Sequence, residues 1–536
     1  MAPCADADGL RAAERMGIEV YAEVWASATP SGSPGPPPAD FNEYVKKSDI
    51  PSPPEAPWEA RAMERAKIGV GALDEITGGG FPRDGLILLA GGPGTGKTIL
   101  SMRFLIEGAE SGEPGVYAGF AEPREALIEG LSGHLGADLA GLEGGGKLRI
   151  LDFTTAREAA ISSIMEGILR EIHSIGARRL VIDSYSAMAQ AFQTPHDARI
   201  ALHAILGRIV RRMGCTAIAT VEVPLGSERM GLGAEEFVAD GIIALRVREL
   251  DCRLLRELEL VKMRWTRLGE RKIAFTLDGG FRAFAPFKPK PIDRPGRFQP
   301  IRDPPGMYSM GSGDLDAALG GGVPRGAAVL LEISGKVSMA EYHLIVVPAI
   351  ANFIAQGRAA ILIPTLGVDA EEARRVGLEY GLRDEEIRGL LRVCQPRGLG
   401  GDGEPHVVHF DAKDVWGDYG KYLELEEDLM RRTGQPVMSV SGVDALLSYY
   451  DEASCERLLG RDAVRIRRRG SLGILLLKPG HGGIARRLGS IAAIHLRLTR
   501  VHGCLLLYGV KPRTGLYAVE MDASRGYPLP RLTPIV

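Results

Sequence analysis

The stretch GGPGTGKT, Gly91–Thr98, decides the fold of this chain. It fits the pattern G-x-x-x-x-G-K-T and follows the apolar run Gly85–Ala90, which is typical of a strand. A segment with helical periodicity comes next. Glycines in such a loop let backbone N–H groups converge on phosphate oxygens, and the helix N-terminus adds its dipole. This context predicts a phosphate-binding P-loop, and a simple glycine-rich turn is the disfavoured alternative.

The side chains of this loop have predicted roles in binding Mg-ATP. Lys97 is expected to reach the β- and γ-phosphates, which makes it a catalytic candidate as well. Thr98 is expected to place its hydroxyl on Mg²⁺. The predicted nucleotide-binding residues are Gly91, Gly92, Pro93, Gly94, Thr95, Gly96, Lys97, Thr98 and Ile99.

Acidic residues follow three of the predicted strands. Asp183 ends the apolar run RLVID, where a Walker B acid would hold the hydration shell of Mg²⁺. Glu122 follows the run Gly115–Phe120, at the sheet edge where ligands bind, and is the first candidate for orienting the attacking water. Glu222, just past the run TAIATV, is the second candidate. The alternative for Glu122 is an acid that merely begins a helix next to Pro123.

The chain contains an internal duplication. Residues 69–83 and 311–325 match in register at a constant offset of 242, and a short apolar run follows each of them. Within each copy, short apolar runs alternate with helical patterns, which favours a mostly parallel sheet covered by helices. The predicted fold class is therefore α/β, with two tandem domains.

Proline-rich stretches set the predicted domain boundaries. Residues 1–60 form a Pro-rich N-terminal extension that is expected to be largely disordered. Residues 61–286 form the ATP-binding domain, residues 287–306 a Pro-rich linker, and residues 307–536 the second domain.

The second copy lacks the chemistry of the first. The residues opposite Gly91, Gly96, Lys97 and Thr98 are Ile333, Ser338, Met339 and Ala340. Lys336 lies nearby, but at the wrong position of the turn. In the counterpart of the Asp183 strand, Val440 or Ser441 is expected to replace the acid, and Asp444 comes too late to end the strand. We therefore predict that this domain has lost its ATP site.

Several stretches of the first copy resemble the KaiC and RadA branch of RecA-type ATPases. They include the P-loop region, VIDSYSAMAQ, EEFVADG (Glu235–Gly241) and KMR (Lys262–Arg264). The resemblance covers residues 65–285 clearly and residues 307–536 as a diverged copy. It implies a RecA-like fold for both domains, ATP with Mg²⁺ at subunit interfaces, and a homo-oligomer such as a hexameric ring.

The resemblance also implies that Lys262 and Arg264 act in trans on the γ-phosphate of a neighbouring subunit. Without it, these residues are a basic surface strand. The chain departs from the family pattern at one position. The family usually carries two adjacent acids after the second strand, whereas this chain has Ala121 and Glu122 there, so the first acid is missing. We therefore expect ATP binding with slow hydrolysis to ADP and phosphate.

The whole arrangement resembles the archaeal gas-vesicle regulatory protein D group. The shared features are a Pro-rich extension, an intact domain, a degenerate domain and arginine clusters such as Arg465–Gly470. This resemblance implies transcriptional regulation through a protein partner. Two alternatives stay open, namely a RadA-like DNA-binding recombination ATPase and a non-hydrolysing, nucleotide-sensing scaffold.

Composition excludes some functional classes. The formal net charge of −3 and the pI of about 6.4 argue against a globally basic protein that coats nucleic acid, although a local basic patch stays open. The six cysteines are scattered, without a CxxC pair. The most apolar run, Leu344–Ala355, is too short to span a bilayer. We expect a cytoplasmic protein that does not bind membranes.

Overall fold

The computed structural model describes residues 64–154, 161–189, 205–224 and 238–536. The predicted extension, residues 1–60, lies outside these described residues. Residues 63–536 form one compact unit built around two large sheets. We call residues 64–286 the first lobe and residues 307–536 the second lobe.

The described residues of the first lobe form a nine-stranded sheet with the order β11-β10-β9-β8-β3-β7-β6-β4-β5. The six strands from β8 to β5 are parallel, whereas β9, β10 and β11 extend the sheet as antiparallel strands. A short β1–β2 pair stands apart. The strands are β1 (Arg65–Ala66), β2 (Phe81–Pro82), β3 (Leu86–Gly91), β4 (Gly115–Gly119), β5 (Leu148–Asp152), β6 (Arg179–Asp183), β7 (Thr216–Glu222), β8 (Gly241–Leu250), β9 (Arg253–Met263), β10 (Lys272–Thr276) and β11 (Arg282–Phe284).

Helices cover both faces of this sheet. On β3, Ile87 and Leu89 join the core on one face, while Leu86, Leu88 and Ala90 join the core on the other. A strand buried on both faces reads as a continuous apolar run, as this one does. The helices are α1 (Gly71–Thr77), α2 (Lys97–Glu110), α3 (Arg124–Leu135), α4 (Leu139–Gly144), α5 (Ile161–Ile175), α6 (Tyr185–Ala189) and a π-helix (Ile205–Arg212).

The second lobe repeats this design. Its described residues form a ten-stranded sheet with the order β17-β16-β15-β18-β19-β14-β20-β21-β22-β23, and another short pair, β12–β13, precedes it. The strands are β12 (Met307–Tyr308), β13 (Val323–Pro324), β14 (Ala328–Ile333), β15 (Ala360–Ile363), β16 (Leu391–Pro396), β17 (Val407–Phe410), β18 (Met438–Gly442), β19 (Leu472–Leu477), β20 (Ile494–Val501), β21 (Cys504–Lys511), β22 (Leu516–Asp522) and β23 (Leu529–Pro534). The helices are α7 (Gly313–Ala318), α8 (Met339–Ala355), α9 (Ala370–Glu379), α10 (Asp384–Leu390), α11 (Val415–Thr433), α12 (Val443–Tyr449), α13 (Glu452–Arg469) and α14 (Gly482–Ile491).

The two sheets have the same strand order once the extra edge strand β17 is set aside. The strand β14 takes the central place of β3, and the antiparallel strands β21, β22 and β23 correspond to β9, β10 and β11. The predicted α/β fold, with two tandem, mostly parallel sheets covered by helices, is therefore confirmed.

The lobes meet through these antiparallel strands. Leu255 and Phe284 of the first lobe pack with Leu506 and Tyr508 of the second in one buried cluster. Arg253 crosses the contact, because its guanidinium lies over the Tyr508 ring and donates to backbone carbonyls of the second lobe. The lobes are thus held by both apolar burial and hydrogen bonds.

The segment predicted as a linker, residues 287–306, contains no helix or strand. Phe287 N donates to Gly503 O, and the buried Phe298 packs on Tyr527 with ring centroids 5.0 Å apart. This segment therefore packs on the second lobe.

None of the described helices combines the length and the apolar content that a membrane crossing requires.

Candidate functional site

The P-loop joins the central strand β3 to helix α2. Gly91 ends the strand, and Gly96 precedes the helix with a positive φ of 95°, which glycine adopts without strain. A Cβ on Gly91 would lie 2.5 Å from Thr95 Oγ1, and one on Gly96 would lie 2.7 Å from Leu277 Cδ2. The positive φ favours glycine at Gly96, and a side chain at either position would press on a neighbouring side chain. The loop backbone therefore forms a tight cradle of the kind that holds phosphate.

Lys97 lies over this cradle. Its Nζ donates to the carbonyl oxygens of Gly91 and Gly92, at 2.9 Å each. Burial lowers the pKa of Lys97, while the charges of Asp183 and Glu222 oppose this shift. The lysine therefore stands at the carboxyl edge of the sheet, among the acidic residues that were predicted to act there.

Asp183 is the centre of a buried hydroxyl network. Its Oδ2 accepts hydrogen bonds from Thr98 Oγ1 at 2.7 Å and from Tyr117 OH at 2.8 Å. Its Oδ1 accepts a hydrogen bond from Thr220 Oγ1 at 2.7 Å. The structure thus brings Thr98 and Asp183 together beside the P-loop. A hydroxyl and a carboxylate are oxygen ligands of the type that Mg²⁺ prefers, so this donor set fits the metal.

Sequence reasoning missed Tyr117 and Thr220. Tyr117 is the one polar side chain of the buried strand β4, and Thr220 is a buried hydroxyl between apolar residues of β7. Polar side chains at such positions are a sequence signal that could have identified both. Burial, followed by the charge of Asp183, raises the pKa of Tyr117 well above its usual value. The phenol therefore stays protonated and keeps donating to the Asp183 carboxylate.

The two candidates for water orientation lie at the same edge of the sheet. Glu122 is exposed just after β4, and its charge contributes to the raised pKa of Tyr117. Glu222 ends β7, and its N–H donates to Ser186 Oγ at 2.9 Å. Both carboxylates therefore lie in the electrostatic surroundings of the Asp183 network.

Lys262 and Arg264 lie at the opposite edge. Arg264 Nη1 is 3.1 Å from Asp240 Oδ1, and Asp240 Oδ2 accepts a hydrogen bond from the backbone N–H of Leu86, the first residue of β3. The P-loop begins at the other end of this six-residue strand, roughly 17 Å away. These two residues are therefore too far away to reach a nucleotide on their own P-loop.

The strand registers identify the second-lobe counterpart of Asp183. In the first lobe, Ile182 pairs with Ala219, which pairs with Leu88. In the second lobe, Ser441 pairs with Leu475, and Leu475 pairs with Leu330, which is the counterpart of Leu88. Ser441 is therefore the counterpart of Ile182. Asp183 therefore corresponds to Gly442, and the expectation of Val440 or Ser441 was wrong because the sequence alone leaves the register of this strand undefined. The counterparts of Thr98, Tyr117 and Thr220 are Ala340, Leu362 and Leu476.

The second lobe has no room for an acidic side chain at the position that corresponds to Asp183. A Cβ on Gly442 would lie 2.7 Å from both Cα and N of Thr365, so backbone atoms fill the space. Leu362 and Leu476 line an apolar cavity of about 60 Å³ nearby. The polar network of the first lobe is thus replaced by apolar packing.

Helix α8 follows the loop of the second lobe that corresponds to the P-loop, and the side chain of Glu341 caps its N-terminus. Glu341 Oε2 accepts hydrogen bonds from Ser338 N at 2.6 Å and from Ser338 Oγ at 2.7 Å. The Glu341 side chain is buried, and Arg500 Nε lies 3.5 Å from its second oxygen. A helix N-terminus favours an anion, and here the chain supplies that anion itself.

Two of the four arginines in Arg465–Gly470 form ion pairs within the second lobe. Arg465 and Arg469 both bind the buried carboxylate of Glu426, and Arg469 also pairs with Glu427 at 2.9 Å. Arg465 pairs with Asp462 as well, at 2.7 Å. These contacts favour a structural role for the two arginines.

Comparisons with known proteins match both lobes. The ATPase family model described as KaiC matches residues 66–281, and the model described as GvpD basic region 2 matches residues 297–369. Protein GvpD2 of Halobacterium salinarum is 25% identical over 482 residues, which cover 84% of this chain and 93% of that protein.

Shorter relatives match the first lobe. A UPF0273 protein of Pyrobaculum aerophilum is 37% identical over 219 residues, which cover 38% of this chain and 76% of that protein. Among solved structures, a KaiC-like protein of Pyrococcus horikoshii is 35% identical, with a TM-score of 0.38, and the match covers 41% of this chain and 99% of that one.

Proposed function

Because this chain belongs to the KaiC family of P-loop ATPases and resembles GvpD2 over most of its length, we propose that it is a regulatory ATPase with one working site. The first lobe binds Mg-ATP, and the second lobe is a pseudo-ATPase that serves assembly and regulation. The observation that carries the proposal is the contrast between Asp183, bonded to Thr98 beside a glycine cradle, and Gly442, which has no room for a side chain.

In this proposal, different residues of the first lobe bind the phosphates and the metal ion of Mg-ATP. The backbone from Gly91 to Ile99 holds the phosphates, and Lys97 balances their charge. Thr98 and Asp183 would hold Mg²⁺, directly or through its water shell, and the ion would supply positive charge to neutralise the phosphates. Tyr117 and Thr220 keep the Asp183 carboxylate in place by donating to it.

The number of sites tests the proposal directly. Titration calorimetry of the full chain with a non-hydrolysable Mg-ATP analogue is expected to give one site per chain. Two sites would disprove the pseudo-ATPase assignment of the second lobe, and no binding would disprove the ATPase assignment of the first. Steady-state phosphate release then separates a slow ATPase from a nucleotide-sensing scaffold.

Glu122 is proposed to orient the attacking water. Glu122→Gln is expected to lower ATP turnover by roughly 100-fold, because general-base catalysis contributes about that much or more. The affinity for Mg-ATP should change little, since the substitution keeps the shape of the side chain. Phosphate release measures the first effect and calorimetry the second. The matched control is Glu222→Gln, and a loss confined to that variant would move the role to Glu222.

Arg264 is proposed to act on the nucleotide of a neighbouring subunit in a homo-oligomer. Arg264→Ala is expected to lower turnover by roughly 1000-fold, the usual contribution of an arginine finger, while the P-loop of the same chain still binds ATP. Arg267→Ala, an exposed arginine three residues away, is the control and should stay active. Lys262 is expected to assist from the same strand.

Mixing two inactive variants separates action in trans from a local defect. Subunits carrying Lys97→Ala retain Arg264, and subunits carrying Arg264→Ala retain an intact P-loop. Mixed oligomers should therefore regain part of the turnover. A mixture that assembles and stays inactive would contradict the trans-acting role.

The regulatory part of the proposal rests on the similarity to GvpD2 and on the loss of one site. We propose a protein partner in the cytoplasm, with transcription as the controlled process. Direct action on DNA is the alternative, and it predicts binding that weakens steeply with salt. Binding of a labelled DNA duplex measured at several salt concentrations distinguishes the two.

A further inference from the structure

One arginine of the first lobe links its P-loop to the last residues of the second lobe. Arg256, in the middle of β9, donates through Nη1 to Gly94 O at 3.0 Å. Its Nε donates to the carbonyl oxygen of Val536. A single guanidinium thus joins the phosphate-binding loop to Pro534–Val536, which we call the C-terminal segment.

Further contacts hold the C-terminal segment in place. Thr276 Oγ1 donates to Pro534 O at 2.8 Å, and Val536 N donates to the same hydroxyl at 3.3 Å. Ile535 N donates to Leu516 O at 2.8 Å, and the Ile535 side chain is buried in the cluster between the lobes. The position of the segment is therefore determined by both lobes.

The bond from Arg256 orients one peptide of the P-loop. The C=O and N–H of a trans peptide point in opposite directions, so a carbonyl of Gly94 held by Arg256 turns the N–H of Thr95 away from Arg256. Phosphate binding depends on how such N–H groups converge. Leu277, which follows Thr276, packs against Gly96 of the same loop.

We propose that the C-terminal segment of the second lobe sets the ATP affinity of the first lobe in cis. The segment holds Arg256, and Arg256 holds Gly94 in the orientation that binds phosphate. This inference rests on the proposed function, since it concerns regulation of the same site. By linkage, Mg-ATP bound at the P-loop must in turn stabilise the docked segment.

Calorimetric titration of the full chain with a non-hydrolysable Mg-ATP analogue tests the proposal. Ile535→Ala loosens the segment from the second lobe, and Arg256→Gln removes the charged link. Each is expected to weaken binding about tenfold, the effect of losing one charge-assisted hydrogen bond. The double variant should bind no more weakly than Arg256→Gln, because both changes act through the same contact.

The matched control is Arg282→Ala, which removes the pairing of Arg282 with Glu520 across the same lobe contact. It should bind the analogue with unchanged affinity. Equal weakening by Ile535→Ala and Arg282→Ala would overturn the proposal, because it would indicate a general effect of lobe docking. Strictly additive losses in the double variant would overturn it as well.

Hydrogen exchange gives a second readout. Mg-ATP analogue should slow exchange of the backbone N–H groups of Ile535 and Val536 in the unmodified chain. Unchanged exchange at saturating analogue would overturn the proposal. If the unmodified chain binds no analogue, the proposed function itself fails. If it binds and only Lys97→Ala abolishes binding, the inference alone fails.

Discussion

Lys97→Ala is expected to weaken Mg-ATP binding by about 100-fold and to abolish turnover, because a charge-assisted contact to phosphate contributes up to about 3 kcal/mol. The lysine lies over the cradle, with Nζ on the carbonyls of Gly91 and Gly92, so its charge is already placed where the phosphates would bind. Calorimetry with a non-hydrolysable analogue and steady-state phosphate release measure the two effects.

The second lobe supplies a matched control in Lys336→Ala. Lys336 is exposed on the loop that corresponds to the P-loop, and we expect its removal to leave affinity and turnover unchanged. A comparable loss from Lys336→Ala would contradict the division into one working and one disabled lobe. Retained turnover in Lys97→Ala would remove the P-loop from the mechanism.

Gly442→Ala is expected to lower the free energy of unfolding of the second lobe by roughly 3 kcal/mol. The new Cβ would lie 2.7 Å from backbone atoms of Thr365, which cannot move aside as the end of a flexible side chain can. The φ of Gly442 is −70°, so the cost comes from packing rather than from backbone strain. Denaturant unfolding followed by circular dichroism measures the loss.

The control for this prediction is Gly420→Ala within α11, where a Cβ would meet nothing within 4 Å. That change should stabilise the lobe by up to about 1 kcal/mol, because alanine favours a helix. Equal stability of the Gly442→Ala variant and the unmodified chain would show that the place of the acid is open after all. The second lobe would then have room for a metal-binding side chain, contrary to our assignment.

The sequence predicted the features that depend on local pattern. The P-loop between an apolar run and a helical pattern required the strand–loop–helix order that the structure has, and the repeat predicted the second sheet. Asp183 was found because it ends an apolar run. The capping of α8 was also readable, since Ser338 and Glu341 have the spacing of a capping box, but this signal was overlooked.

Other features required the pairing of distant strands. Tyr117 and Thr220 converge on Asp183 only because β4 and β7 both lie beside β6. Gly442 could not be aligned with Asp183 without the ladder registers, since a shift by one residue leaves the apolar pattern of a fully buried strand nearly unchanged. The contact of Arg256 with Val536 joins residues far apart in the chain, and no local pattern indicates it.

The carboxylate of Glu341 makes the capping of α8 independent of any ligand concentration. A ligand adds to the stability of the lobe that binds it in proportion to the logarithm of its concentration above Kd. If the first lobe binds ATP as proposed, its stability is expected to rise and fall with the ATP concentration. The second lobe carries its capping anion covalently, so its stability is expected not to depend on the ATP concentration.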